Sequence, residues 1–98
     1  MLGAVHKNGT PLGLAVMELR GATEDVAVAL KRNDLRSTLL LRTSVLSAIH
    51  DYENSRRLAD QRSLVTREWI VIGDESLIAA RTMLETAASR LSSSLKSL

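Results

Sequence analysis

The chain has no cysteine and no phenylalanine, one proline and two aromatics, Trp69 and Tyr52, among its 98 residues. Without cysteine there is neither a disulfide framework nor a thiolate metal site, and the redox compartment goes unmarked. With two aromatics and many Leu, Ala and Val, any core must be aliphatic, which favours helices over sheets. One proline and five glycines argue against a disordered or low-complexity linker. No uncharged apolar run approaches the roughly 18 to 20 residues that span a bilayer, so the expectation is a soluble, cytoplasmic chain with no membrane partner. Lys7 followed by the uncharged stretch Asn8 to Met17 is only a faint likeness of an export signal, because Pro11 and Gly13 interrupt it.

A strong charge of one sign is also missing. Thirteen basic residues nearly balance eleven acidic ones for a net charge of +2, although the isoelectric point is about 9.5. Ten of the thirteen are Arg, whose planar fork suits carboxylates and phosphates, so an acidic partner is compatible with the composition without being required by it. The length suffices for one domain with a single modest core, residues 1–98, of which 1–9 read as a loose lead-in.

What the chain does have is helical periodicity. Leu77, Leu84, Leu91 and Leu98 stand seven residues apart, with Ala80, Ala87 and Ser94 on the alternate seam. Such a helix lays a stripe along a partner helix, and small seam residues let the backbones approach closely. Gly73 as a breaker, Asp74 as N-cap and Glu75 in the first turn predict that this helix starts at Asp74, with Arg81 and Glu85 as a pair on its polar face. The stripe serves either the chain's own core or the seam of a homodimer.

Upstream, Thr10 and Pro11 mark a helix start, and Leu12, Val16, Leu19, Val26 and Leu30 follow at helical spacing. Gly21 is a point where this helix divides, with Thr23 capping a second one; a strand over Leu12 to Met17 is the rival reading. Asn33 and Asp34 punctuate, and Leu35, Leu39, Leu41, Val45, Leu46, Ile49 and Tyr52 give the next helix a broad apolar face. Lys31, Arg32, Arg36 and Arg42 gather around its start, the end where the helix dipole disfavours cations. A break is expected at Asn54 to Arg57, then a new stripe at Leu58, Val65, Trp69 and Ile72; Trp69 to Ile72 also has the composition of a short strand.

Chemistry-bearing patterns are scarce. His50 and Glu53 share a helix face and offer two metal ligands, too few for a site, and His6 lies in the lead-in. There is no Gly-x-Ser-x-Gly elbow, no Cys nucleophile, no Walker sequence and no Gly-x-Gly-x-x-Gly turn. The reading therefore names no catalytic residue, no cofactor and no metal. The segment from Arg57 to Ile70 resembles a helix-turn-helix, with Leu58 and Ala59 on the first helix, a turn at Ser63 and Leu64, and Arg62, Thr66 and Arg67 as candidate contacts to nucleic acid. Ser63 stands where Gly is usual, and the apolar residue of the second helix falls one position out of register.

Together these features predict an all-α bundle of three to five helices with a heptad-patterned C-terminal helix, with a homodimer formed either through Leu77 to Leu98 or through the Leu58, Val65 and Trp69 surface. The function expected is a non-enzymatic protein–protein interaction module, a small regulator, adaptor or chaperone, binding another protein or a second copy of itself. Its interface residues would be Leu58, Val65, Trp69, Leu77, Leu84 and Leu91, with Trp69 as anchor. The alternative is a DNA-binding regulator using residues 57–70.

Overall fold

A computed structural model describes residues 11–96. They form three helices packed against each other: α1 (Pro11–Lys31), α2 (Leu35–Leu58) and α3 (Leu64–Lys96). No strand occurs among the described residues, so neither Leu12 to Met17 nor Trp69 to Ile72 is extended. Links of a few residues force consecutive helices to run antiparallel, giving an up-down-up bundle of 55 × 25 × 18 Å. The lead-in, His6 and Leu98 lie outside the described residues.

The first helix is the centre of the core. Leu12, Ala15, Val16, Leu19, Val26, Ala29 and Leu30 are all buried on it, the face the spacing predicted. Thr23 is buried among them because its hydroxyl donates to the Leu19 carbonyl at 2.7 Å, which leaves no unpaired polar atom in the core. The helix does not divide at Gly21, which is exposed; the apolar face continues through it, and burial on both sides outweighs the roughly 1 kcal/mol that Gly costs relative to Ala.

α1 ends where Asn33 adopts the left-handed conformation, φ 54°. The Asp34 amide donates to the Ala29 carbonyl at 2.9 Å and the Asn33 amide to Leu30 at 3.0 Å, a Schellman-type ending that satisfies the last carbonyls. Arg90 from α3 adds a third bond, Nη1 to the Leu30 carbonyl oxygen at 2.6 Å. Asp34 then caps α2: its carboxylate accepts from the Ser37 amide at 3.0 Å and the Ser37 hydroxyl at 2.7 Å. Those bonds from Ser37 hold the Asp34 carboxyl below its ordinary range. Val45, Ala48, Ile49 and Tyr52 carry the buried face of α2.

Two boundaries differ from the expectation. α2 ends at Leu58, just past the predicted break, with Ala59 extended. α3 does not start at Asp74 but at Leu64 and runs unbroken through Gly73 for 33 residues. Gly73 is buried against the ring of Tyr52, and a Cβ there would overlap the ring's Cε1, Cζ and Oη. The glycine is thus a site of close helix approach and not a breaker. Of the expected small seam, Ala80 and Ala87 are also buried and close against the chain's own core, where the Leu, Val and Ala side chains of α1 dominate, whereas Ser94 is exposed.

Candidate interaction surface

α2 and α3 are joined by a polar clasp that no local pattern announced. The Tyr52 hydroxyl donates to Asp74 Oδ1 at 2.6 Å and lies 3.1 Å from the Ile70 carbonyl oxygen. Arg56 forks onto the same carboxylate, Nε to Oδ1 at 2.9 Å and Nη2 to Oδ2 at 3.0 Å, the bidentate geometry that fixes orientation as well as charge. Burial alone would raise the Asp74 pKa, but the bonds from Arg56 and Tyr52 and the Arg56 charge outweigh it and hold the carboxyl below its usual range. Burial, and then the bond to Asp74, push the Tyr52 phenol well above its ordinary value. The phenol keeps its proton and stays a donor. Two turns further along α3, Arg81 Nη2 reaches Glu53 Oε2 at 2.8 Å, so Arg81 pairs across helices and not with Glu85.

These contacts set the rotation of α3 and so decide which of its residues face outward. Trp69, Leu77 and Leu84 are partly buried and pack against the core; Leu91 is half-buried. The predicted leucine stripe is thus turned toward the bundle, along the flank of α3 nearest α2. Leu58 and Val65, by contrast, are exposed, at 76% and 57%. The predicted interface residues do not form one surface.

A second row with the same seven-residue period lies one residue on from the leucine stripe, about 100° around α3, turned from the buried Gly73, Ala80 and Ala87. Leu64, Val71 and Ile78 are 68%, 59% and 68% exposed, with Glu68 and Glu75 between them, also exposed. Leu64, Arg67, Glu68, Val71 and Ile72 line an open apolar groove there. Three large aliphatic side chains at one period on one face are not the scattered exposure common on soluble domains. The spacing is legible in the sequence, one position on from the longer leucine run that begins at Leu77.

The helix-turn-helix residues are dispersed. The turn spans residues 59–63, earlier than the motif requires, and Arg62 sits in it with its amide donating to Asp60 Oδ1 at 3.0 Å. Thr66 is half-buried and lines a pocket with Pro11, Leu12, Ser55 and Leu58, while Arg67 is exposed. One residue turns inward, and the three share no groove-facing surface. At the other candidate pair, Glu53 is held by Arg81, and no cluster of three or more metal-ligating side chains occurs among the described residues. No helix among them is long and apolar enough to cross a membrane.

No family model, curated protein or solved structure matches this chain.

Proposed function

We propose that the chain is a non-enzymatic protein–protein interaction module that associates with a second copy of itself, in the manner of a small regulator or adaptor. The reading rests on one observation: the exposed Leu64, Val71 and Ile78 row on α3, which has a coiled-coil period and no cover. An apolar row of this kind lowers its free energy by meeting another helix face, at roughly 1.5 to 3 kcal/mol for each large side chain fully buried. The clasp of Tyr52, Arg56 and Asp74 holds α3 so that this row stays outward.

Light scattering on the full chain and on a Val71→Glu, Ile78→Glu variant, with circular dichroism on both, tests the proposal. The expected result is a dimer or larger assembly for the wild type and a folded monomer for the variant. A wild type that stays monomeric from micromolar to millimolar concentration, or a variant that keeps the wild-type mass, overturns it.

A further inference from the structure

Two exposed surfaces of the bundle are complementary in charge and alike in length. From Leu35 to His50, α2 contains no acidic residue; Arg36, Leu39, Leu40, Arg42 and Leu46 are all exposed on it. Leu39, Leu40 and Leu46 are 54%, 70% and 42% exposed. The outer row of α3 carries the opposite sign: Glu68 and Glu75 alternate with Leu64, Val71 and Ile78, with Arg67 beside them and Glu53, Arg56 and Arg57 of α2 bordering the Ile78 end. Leu64 to Ile78 and Arg36 to His50 each span fourteen helical steps, about 21 Å at 1.5 Å per residue. Neither surface is covered by the chain's own helices, since both lie on the sides of α2 and α3 turned from the core.

We propose, resting on the interaction-module reading above, that self-association is crossed: the acidic apolar row of α3 in one copy docks on the basic, leucine-bearing face of α2 in another. Pairing α3 rows with each other sets Glu68 and Glu75 of both copies into one interface, and pairing α2 faces does the same with Arg36 and Arg42; like charges so placed oppose docking. The crossed arrangement places carboxylates against guanidiniums and leucines against leucine, valine and isoleucine. Two such contacts close a dimer around a two-fold axis, and one alone extends a chain of copies.

Charge reversal separates this arrangement from any other. One variant carries Arg36→Glu and Arg42→Glu, the other Glu68→Arg and Glu75→Arg; each makes its two surfaces alike in sign. All four positions are exposed, so circular dichroism should report the wild-type fold. Sedimentation of each variant alone should show self-association weakened about tenfold or more, equal to about 1.4 kcal/mol. An equimolar mixture should return to near wild-type association, because the acidic α2 of one variant then meets the basic α3 of the other, and added salt should weaken wild type and mixture alike. Should either variant lose its fold, Arg36→Ser with Arg42→Ser, or Glu68→Gln with Glu75→Gln, replaces it, and weakened self-association of the folded replacement is the required result. Variants that associate as the wild type does, or a mixture that stays dissociated, overturn the crossed arrangement. If the Val71→Glu, Ile78→Glu protein is nevertheless monomeric, the interaction-module reading survives that result; a monomeric wild type overturns both.

Discussion

The two seven-residue rows of α3 are chemically alike and fare differently. Leu77, Leu84 and Leu91 face the bundle and are partly buried, while Leu64, Val71 and Ile78 face outward and are exposed. Hydrophobicity does not distinguish them, since both consist of large aliphatic side chains at one period. The difference comes from what lies between: Gly73, Ala80 and Ala87 sit on the inner side, where Tyr52 and α1 come close, and Glu68 and Glu75 sit on the outer. Small residues admit a neighbouring backbone, and carboxylates keep a face in water unless a partner supplies the opposite charge.

The comparison breaks most readily at the contact that sets the rotation of α3. Tyr52→Ala removes a fully buried ring together with the hydroxyl that holds Asp74, and should lower unfolding free energy by about 3 to 5 kcal/mol in a urea titration. Gly73→Ala drives a methyl into that ring and should cost about 1 to 3 kcal/mol despite the better helix propensity of Ala; a gain in stability would mean that Tyr52 is free to move aside. Leu84→Ala on the inner row should lose about 1 to 2 kcal/mol, whereas Ile78→Ala on the outer row should change monomer stability by less than about 0.5 kcal/mol. Equal losses would erase the distinction between the rows. Gly21→Ala, where an added methyl meets nothing within 4 Å, should stabilise by about 1 kcal/mol, the opposite sign to the same change at Gly73.

The smallest effect expected is on pH dependence. The folded-state pKa of Asp74 lies below its ordinary value, so the clasp contributes its full stability above the ordinary carboxylate range. That contribution disappears as pH falls through the depressed folded value. The Arg56 and Asp74 side chains are 39% and 42% exposed, and water screens the pair, so the gain is modest. Asp74→Asn should flatten this part of the acid-unfolding profile; an unchanged profile would show that the pair adds nothing measurable.

Local signals located most of the secondary structure. Asn33 and Asp34 end α1 and cap α2, and the predicted apolar positions of α1 are all buried, whereas on α2 only Val45, Ile49 and Tyr52 are, with Leu35 and Leu41 half-buried and Leu39 and Leu46 exposed. Gly73 and Asp74 misled because a glycine followed by a capping residue has the same local form whether it starts a helix or lies inside one. Tyr52 and Arg56 settle the matter from 18 to 22 residues away, beyond the reach of helical periodicity. A longer separation, 28 residues, hid the Glu53 and Arg81 pair, and local spacing made Arg81 and Glu85 look like partners. The helix-turn-helix likeness failed for a related reason: residue types at 57–70 do not encode where α2 stops, and a turn displaced toward Ala59 leaves Thr66 facing the pocket beside Pro11 and Leu12.

That the chain is helical, aliphatic in its core and divided at Asn33 follows from composition, spacing and caps, which act over a few residues. How α3 is set against its neighbours does not, because small residues and carboxylates mark an inner and an outer side of the helix without saying which side chains the inner side meets. The rotation is chosen by the close approach of Tyr52 to Gly73 and by the Arg56 fork on Asp74, contacts that exist only once the three helices have met.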